Sequence, residues 1–417
     1  MTEKNKELKP TELGKRRIDF DRQEMPVLSG LLEDWQKQKP LQGSKISCCL
    51  HITTETAVLM ETLDAGGAQV KLCASNPLST QDDVAAYLND KGLDTYGRRG
   101  ESEEEFYSNI DKTLAHDPHV LIDDGGDMTT AYLEKYGPDY EGFRGVCEET
   151  TTGIIRLKAM AKAGELPFPA VDVNGSRIKH LFDNYYGTGQ SSITGILAAT
   201  NRMIAGSDVV VVGYGYCGEG IARDAEGLGA RVHIVESEPV RALQACMDGF
   251  QALDMSEAAE IGDIFVTATG NKHAIDGEHL EKMKDGAILA NAGHFNVEIN
   301  LDWVEEQSQR SERVNEHTEK FVLESGKSLY VIAEGRLVNL CAGQGHPASV
   351  MDMSFAGQAL SAGWLLEKGK ELSASVHSVP EEIENRIAEI KLESKGMSYQ
   401  QLSEEQIEYL NSWQEGT

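Results

Sequence analysis

A glycine pattern at residues 213–218 is the part of this sequence that points most directly to chemistry. The run of valines at 209–212 leads into Gly213, Gly215 and Gly218, spaced as G-x-G-x-x-G, and helix-forming residues follow. A strand, a glycine turn and a helix in this order form a seat for a pyrophosphate. The first glycine permits the tight turn, the second lets the phosphates approach the backbone, and the third lets the helix pack closely on its strand.

An acidic residue beyond this turn indicates which dinucleotide it would hold. Residues 230–235 are predicted to form the next strand, and Glu236 ends it. A carboxylate at that position can bind both ribose hydroxyls of NAD and would repel the additional phosphate of NADP. The sequence therefore predicts an NAD site. The alternative is a structural βαβ unit that binds no ligand.

Polar side chains follow five predicted strands in the first half of the chain. Ligands in open α/β sheets bind beyond the carboxyl ends of the strands, so these side chains are candidates for a site. Individually, Asp124 could be a turn residue, and Thr150 or Ser79 could be a helix cap. Their recurrence at five strand ends favours a site instead. The residues are His51, Thr53, Glu55, Asn76, Ser79, Asp123, Asp124, Glu148, Glu149, Thr150, Thr151, Thr152 and Asn174.

A second group of candidates could move a proton. Lys179 and Asp183 are four residues apart, directly before Asn184, so a helix would bring the ammonium and the carboxylate together. A surface ion pair is the alternative. In a cleft beside a nicotinamide, a lysine with a lowered pKa could act as the base for a hydroxyl proton. His294, after a predicted strand, and His346, in a glycine-rich crossing, favour a functional role because both lie at cleft-facing edges.

These residues would be positioned by alternating strands and helices, which predict an α/β fold with two doubly wound parallel sheets. We expect a substrate-binding domain at 1–184, a Rossmann NAD domain at 185–342, a return to the first domain at 343–370 and a C-terminal helical tail at 371–417, with hinges near 185 and 343. The predicted strands are 46–52, 68–74, 120–122, 145–147, 170–173, 209–212, 230–235, 264–267, 287–290 and 330–332. The predicted helices include 55–63, 81–88, 129–135, 152–163, 191–203 and 354–366.

The amino-acid composition limits the kinds of molecule that this protein is expected to bind. The 39 Lys and Arg residues against 68 Asp and Glu residues give a net charge of −29, which disfavours nucleic acid and anionic membranes as partners. No apolar run approaches the ~18 residues of a membrane span, and residues 1–17 lack the apolar core of a signal peptide, so a cytoplasmic location is predicted. The 7 cysteines form no C-x-x-C pair, which predicts reduced thiols and no metal site.

Eight short motifs, taken together, resemble those of the S-adenosyl-L-homocysteine hydrolase (adenosylhomocysteinase) family. The resemblance covers about residues 45–365. The motifs are LHITTETA at 50–57, STQD at 79–82, DDGGD at 123–127, EETTTG at 148–153, FDN at 182–184, GHF at 293–295, EGRLVNL at 334–340 and GHP at 345–347.

The resemblance implies reversible hydrolysis of S-adenosyl-L-homocysteine to adenosine and L-homocysteine, a step of the methylation cycle and of one-carbon metabolism. It implies one tightly bound NAD per subunit, which takes a hydride from the ribose C3′ and returns it within the same cycle. The 3′-ketone acidifies the C4′ proton, whose removal expels homocysteine from C5′ before water adds. The resemblance also implies a homotetramer.

The resemblance assigns catalytic roles to five residues of this sequence. Lys179 and Asp183 would manage the 3′-hydroxyl proton, and Asp124 would be the C4′ base. His51 would assist departure of the thiolate and activation of water, with His294 nearby. The substrate contacts would be Thr53, Glu55, Ser79, Glu149 and His346, the last as part of a gate at the hinge. The cofactor ligands would be Thr150, Thr151, Thr152, Asn184, Gly213, Gly215, Gly218, Glu236 and Asn339.

Several positions depart from the family pattern. Thr188 stands where animal members have cysteine, and Tyr216-Cys217 stands where many have Asp-Val. The last residues, 415–417, do not form the Lys and Tyr motif that reaches a neighbour's cofactor site in a tetramer. Gln344 stands where many relatives have methionine near the purine, which leaves adenine and hypoxanthine both open as the base.

Three alternative functions follow from the sequence. The first is hydrolysis of S-inosyl-L-homocysteine. The second is an ordinary NAD-dependent dehydrogenase, for example one that acts on 2-hydroxy acids. The third is a non-catalytic, NAD-binding regulatory relative, which loss of the Lys179, Asp183, Asp124 or His51 equivalents would favour. All four residues are present.

Overall fold

The computed structural model describes residues 8–137 and 141–414, which form two β-sheets flanked by helices. The strands are β1 (Lys45–Cys49), β2 (Gln69–Cys73), β3 (Asp94–Tyr96), β4 (Val120–Asp123), β5 (Gly145–Glu148), β6 (Ala170–Asp172), β7 (Asp208–Val212), β8 (Arg231–Val235), β9 (Gln251–Ala252), β10 (Ile264–Thr267), β11 (Ala287–Asn291), β12 (Ser308–Arg313), β13 (Thr318–Leu323), β14 (Ser328–Ile332) and β15 (Val376–Ser378).

The first sheet is parallel throughout, with the strand order β15-β6-β5-β4-β1-β2-β3. From β1 the chain builds outward through β2 and β3 on one side, and from β4 through β5 and β6 on the other. The strand order therefore reverses between β1 and β4, and ligands bind in open α/β sheets at such a switch point. The polar residues that follow these two strands meet there.

The second sheet has the order β12-β13-β14-β11-β10-β7-β8-β9, with a parallel core from β14 to β9. This confirms the predicted pair of doubly wound parallel sheets. The antiparallel strands β12 and β13 at one edge were not predicted. β12 reads SQRSER and is almost fully exposed, so it lacks the apolar alternation from which a strand is predicted.

Helices cover both faces of each sheet, as the alternating pattern predicted. They are α1 (Pro10–Asp21), α2 (Pro26–Gln38), α3 (Thr54–Ala65), α4 (Asp82–Asp90), α5 (Glu103–Leu114), α6 (Asp127–Tyr136), α7 (Thr151–Ala163), α8 (Arg177–Lys179), α9 (Thr188–Thr200), α10 (Tyr216–Gly227), α11 (Pro239–Met247), α12 (Met255–Ile261), α13 (Gly277–Leu280), α14 (Leu301–Glu306), α15 (Val338–Cys341), α16 (Ala348–Lys368), α17 (Glu381–Ser394) and α18 (Glu404–Asn411). A π-helix, His180–Gly187, joins α8 to α9, and short 3₁₀ turns lie at Arg22–Glu24 and Ala333–Gly335.

The chain crosses to the second sheet and then returns to the first. α16 packs its apolar residues into the core around β1, α2 and α3, and β15 pairs with the edge strand β6. The predicted domain limits stay predictions. The last residues of the chain, to which the missing Lys and Tyr motif refers, lie outside the described part. Within residues 8–137 and 141–414, no helix is both long enough and apolar enough to cross a bilayer.

A buried ion pair anchors three helices of the first half. The fully buried Asp352 carboxylate in α16 accepts from the backbone N–H of Val27 (3.1 Å) and Leu28 (2.8 Å) in α2, and from Lys391 Nζ (2.8 Å) in α17. Asp352→Ala would leave an uncompensated buried ammonium, so we expect the free energy of unfolding to fall by about 3–5 kcal/mol. Urea unfolding measures this loss. A change no larger than that of the exposed control Asp111→Ala would contradict the anchoring role.

Candidate active site

A cleft of about 780 Å³ lies between the two sheets, where the carboxyl ends of their central strands face each other. Residues that follow β1, β4, β5 and β11 line it, together with residues of both crossings between the sheets. The predicted site residues that line the cleft are His51, Thr53, Glu55, Asp124, Glu149, Thr150, Lys179, Asp183, Asn184, His294, Asn339 and His346. Those outside its lining are Asn76, Ser79, Asp123, Glu148, Thr151, Thr152, Asn174, Gly213, Gly215, Gly218 and Glu236.

Asp124 lies between two histidines at the centre of the cleft. Its Oδ2 is 3.2 Å from His51 Nε2, and its Oδ1 is 3.6 Å from His294 Nδ1. His51 and Asp124 come from the neighbouring strands β1 and β4, whereas His294 comes from the second sheet. The site is therefore completed only where the two halves meet. The three side chains are also close enough to hold a metal ion together, which the sequence did not predict.

Two serines hold His51 from behind. Ser79 Oγ lies 2.8 Å and Ser75 Oγ 3.2 Å from His51 Nδ1, and Ser75 also donates to Asp124 Oδ2 at 3.2 Å. Burial lowers the pKa of His51 to about 4 although the Asp124 carboxylate opposes the shift, so the ring is neutral at physiological pH. The sequence analysis missed Ser75. It follows β2 directly, as Asn76 and Ser79 do, so the same signal could have found it.

Lys179 is the centre of a second polar cluster. Its Nζ donates to Asn174 Oδ1 and Asn184 Oδ1, both at 3.0 Å, and lies 3.3 Å from Asp183 Oδ1 and 3.8 Å from Glu149 Oε1. The lysine is buried. The predicted pairing of Lys179 with Asp183 is confirmed, and the alternative of a surface ion pair is wrong because both side chains are inside the cleft.

The expected lowered pKa of Lys179 is wrong. Burial alone would lower it, but the carboxylates of Asp183 and Glu149 outweigh burial and raise the pKa of the ammonium. Burial likewise opposes ionisation of Asp183, yet Lys179 and His346 lower the pKa of this carboxyl. Glu149 differs because burial outweighs the attraction of Lys179 and raises its pKa to about 7. The ion pair therefore belongs to Lys179 and Asp183.

The π-helix positions Asp183 between the two crossings of the chain. π-helical turns are rare and occur often at functional sites. Here the turn directs Asp183 Oδ1 to Lys179 and Oδ2 to His346 Nδ1 at 3.2 Å. His346 Nε2 also lies 3.3 Å from Thr188 Oγ1. The segment that leaves the first half is thus bonded to the segment that returns to it.

Glu149 is held by two residues that the sequence analysis did not single out. Ser354 Oγ donates to its Oε1, and Gln358 Nε2 donates to its Oε2 at 2.5 Å. Both donors are on α16, one helical turn apart, and both are buried. α16 was predicted from its apolar residues alone, so its two inward polar groups carried no signal.

The glycine turn has the geometry that its sequence predicted. Gly213 has φ +100°, and a Cβ there would lie 2.7 Å from the Ala268 carbonyl oxygen. A Cβ on Gly218 would lie 1.8 Å from the Gly213 carbonyl oxygen, so α10 packs closely on its strand only with glycine there. Glu236 directly follows β8 beside the turn, and its Oε2 accepts from the Tyr214 N–H at 2.7 Å. These features fit a dinucleotide.

The cleft offers a further polar group to such a ligand. Asn339 Nδ2 donates to Ser191 Oγ at 3.2 Å, but Asn339 Oδ1 is buried and has no partner among the described residues. Buried polar atoms in native proteins normally find a partner, so this oxygen fits a ligand that supplies a donor. Asn184 and Thr150 line the same cleft as Asn339, whereas Thr151 is exposed in the first turn of α7.

Comparison with known proteins gives one family. Residues 184–345 match the family described as S-adenosyl-L-homocysteine hydrolase, NAD binding domain, and residues 3–139 match S-adenosyl-L-homocysteine hydrolase. The chain is 51% identical over 413 residues to the adenosylhomocysteinase of Aquifex aeolicus, with 99% of each chain covered. It is 50% identical over 417 residues to that of Sulfurisphaera tokodaii, with 100% of each covered. It is also 50% identical over 405 residues to the S-inosyl-L-homocysteine hydrolase of Methanopyrus kandleri, with 97% of this chain and 96% of that one covered.

Proposed function

This chain belongs to the S-adenosyl-L-homocysteine hydrolase family, and we propose on that basis that it catalyses the reversible hydrolysis of S-adenosyl-L-homocysteine to adenosine and L-homocysteine. One observation carries the proposal: a single cleft holds two separate acid–base centres, Asp124 with His51 and Lys179 with Asp183. A reaction that removes an O–H proton and a C–H proton from one sugar needs two such centres.

The glycine turn, Glu236 and Asn339 are the proposed contacts of NAD, the cofactor for which the family's domain is described. When bound, NAD accepts a hydride from the ribose C3′ and returns it before the products leave. Four further contacts rest on family resemblance together with position. Thr150 and Asn184 line the cleft, and Thr151 with Thr152 begins α7 beside it.

Lys179 is proposed to handle the 3′-hydroxyl proton in concert with its two carboxylates. As an ammonium it orients the 3′-oxygen by a hydrogen bond, and it must lose a proton before it can accept one. Glu149 is the neighbour best suited to receive that proton at neutral pH, because its pKa is raised to about 7. Asp183, which is harder to protonate, then stabilises the lysine each time the ammonium re-forms.

Asp124 is the proposed base for the C4′ proton, and His51 the proposed partner of the leaving sulfur. The Asp124 carboxylate is buried and shares the cleft with the neutral ring of His51. A neutral imidazole has one donor and one acceptor nitrogen. Because Nδ1 is held by the two serines, Nε2 is the nitrogen left to face the substrate: it would donate a hydrogen bond to the departing thiolate in one tautomer and accept a proton from the incoming water in the other. His294 closes this end of the cleft from the second half.

The remaining predicted residues are proposed to bind substrate. Glu149 would accept hydrogen bonds from the ribose hydroxyls, and Thr53 with Glu55 would contact the purine. Burial raises the pKa of Glu55 to about 7, so this side chain can present a hydroxyl as well as an oxygen acceptor to the base. Ser79 would act through His51, to which it is bonded. His346 would control access at the crossing.

Release of free thiol tests this function and distinguishes adenine from hypoxanthine as the purine of the substrate. We expect purified protein, without added NAD, to release free thiol from S-adenosyl-L-homocysteine with no lasting gain of NADH absorbance. S-inosyl-L-homocysteine is assayed in parallel, because relatives with either substrate in their names are equally similar to this chain. Faster release from the inosyl compound would assign that substrate instead. NADH formed in proportion to turnover indicates a dehydrogenase, and no release from either compound indicates a non-catalytic relative.

Glu236→Ala is expected to weaken NAD binding and to relax the preference for NAD over NADP. The carboxylate directly follows β8 beside the glycine turn. Loss of one charged hydrogen-bonding group costs about 10-fold or more in affinity. Titration of the apoprotein with each nucleotide measures both effects. Glu238→Ala, two residues away and exposed, is the control. Unchanged NAD affinity in the Glu236 variant would remove this residue from the cofactor site.

A homotetramer and a cytoplasmic location are further proposals. Large apolar side chains are exposed on α11, where Met247 is 82% and Val240 71% exposed, and beyond α18, where Trp413 is 89% exposed. Contacts with other copies of the chain would cover such side chains. Sedimentation equilibrium measures the subunit number, and a monomer at micromolar concentration would contradict it.

A further inference from the structure

Glu148 is a buried carboxyl group behind the cleft to which the mechanism above gives no role. It ends β5 directly beside Asp123 of β4, and its side chain is fully buried. It is not among the residues that line the cleft. Any influence of Glu148 on the reaction must therefore pass through the groups that it holds.

One oxygen of Glu148 holds two segments of backbone. Oε1 accepts from the Gly125 N–H at 2.9 Å and from the Thr150 N–H at 3.0 Å. Gly125 directly follows Asp124, the proposed C4′ base, and Thr150 is a proposed contact of the cofactor. The same atom is thus bonded to the loop that carries the proposed base and to the segment that carries a proposed cofactor contact.

The surroundings leave this arrangement little room to shift. A Cβ on Gly153 would lie 2.1 Å from the carboxyl carbon of Glu148, so the carboxyl group packs directly on α7. A Cβ on Gly125 would lie 2.4 Å from His294 Nε2, and the Gly125 carbonyl oxygen accepts from Arg156 Nη1 at 2.7 Å. Both polar groups of Gly125 are therefore held, and its loop contacts the opposite half of the cleft.

We propose that Glu148 is a positioning residue that sets the placement of Asp124 relative to Thr150, and through them the placement of the base relative to the cofactor. The inference rests on the proposed function. The proposed base acts on C4′ and the cofactor on C3′, which are adjacent carbons of one ribose. A small displacement of the base relative to the cofactor therefore affects the rate. A displacement of about 1 Å in such a site can cost about 100-fold in rate.

The second oxygen of Glu148 indicates which property of the side chain is used. Oε2 is buried and has no partner within the described residues. Burial, reinforced by the neighbouring Asp123 and Asp124 carboxylates, raises the pKa of Glu148 well above its ordinary value, a shift that favours the uncharged form. The acceptor oxygen is what the site needs. A glutamine, which is neutral and keeps one carbonyl oxygen, should serve in its place.

The test compares Glu148→Leu with Glu148→Gln in the NAD-loaded enzyme. With adenosine in deuterated solvent, the rate of deuterium entry at C4′ reports on Asp124, and the rate of NADH absorbance gain reports on 3′-oxidation. For Glu148→Leu we expect the ratio of exchange to oxidation to fall by about 100-fold and less NAD to survive desalting. Glu148→Gln should keep both within about threefold of the wild type, the scatter expected of a conservative change.

A matched core variant separates positioning from general destabilisation. Val146→Ala removes packing from the same strand without touching either N–H contact, so it should lower the unfolding temperature and leave the ratio unchanged. If Glu148→Leu does not fold, Glu148→Asp, which retracts the acceptor by one methylene, should lower the ratio in its place. A ratio of exchange to oxidation equal to that of the wild type in Glu148→Leu or Glu148→Asp overturns the inference. A fall of the ratio in Glu148→Gln or Val146→Ala as large as in Glu148→Leu overturns it as well. Absence of exchange in the wild type would instead refute the proposed function.

Discussion

Lys179→Ala is expected to lower turnover by about 10³-fold or more, because a positioned proton-transfer group contributes up to about 10⁴-fold. The variant loses the only described ammonium that faces both Asp183 and Glu149 at the centre of the cleft. NAD should remain bound, since the glycine turn and Glu236 lie elsewhere. Thiol release from S-adenosyl-L-homocysteine measures turnover, and absorbance of the denatured supernatant measures bound NAD.

The pattern of loss in this variant distinguishes proton handling from structure. Without Lys179 the two buried carboxylates repel each other, so one of them should bind a proton and the folded chain should persist. Lys158→Ala is the control, since its ammonium pairs with Asp172 at 3.1 Å and is 60% exposed. Near-normal turnover in Lys179→Ala would remove this lysine from the mechanism. Loss of NAD in parallel with activity would make it a cofactor ligand instead.

Asp124→Asn is expected to prevent removal of the C4′ proton while sparing oxidation at C3′. The amide cannot take the C4′ proton but keeps the shape of the side chain. Deuterium entry at C4′ of adenosine should therefore fall by about 10³-fold, within the range of general base catalysis. Gain of NADH absorbance on addition of adenosine should persist, because Lys179, not Asp124, is the residue proposed to serve 3′-oxidation.

The Asp124 result depends on keeping the two histidines in place. Asp124 Oδ2 lies 3.2 Å from His51 Nε2, and an amide oxygen can occupy the same position. Asp90→Asn, at the exposed end of α4, should behave as wild type. Equal losses of 3′-oxidation and C4′ exchange in Asp124→Asn would show that the side chain organises the whole cleft. Unchanged exchange would assign the base elsewhere.

Much of the fold and of the site could be predicted because the signals are local. The valine run before Gly213 predicts β7, and strand-end polar residues predicted one edge of the first sheet as a site. Parallel strands with a reversal of order bring such ends together, so His51 and Asp124 meet although many residues separate them. In the second half, His294 was predicted from its place after a strand, and family resemblance added Asn339.

Other properties depend on which groups become neighbours, and the chain order does not specify that. The expected pKa of Lys179 had the wrong direction because two carboxylates raise it against burial: Asp183, four residues along the chain, and Glu149, which approaches from another strand. Ser354 and Gln358 were not predicted as site residues because the sequence of their helix is mostly apolar. β12 is almost fully exposed, so no periodic pattern marks it, and the buried residues of β13, Thr318, Phe321 and Leu323, do not alternate regularly along the strand.

The contact between Asp183 and His346 gives one carboxylate two proposed roles, in proton handling at Lys179 and in the hinge between the halves. Any rotation of one half against the other must pass through the two crossings, and His346 and Asp183 belong to one crossing each. Such a rotation would change the electric field at Lys179 at the same moment as it admits or releases substrate. The proton affinity of Lys179 and the access of substrate to the cleft would therefore change together. An enzyme held in an open arrangement would then be inactive.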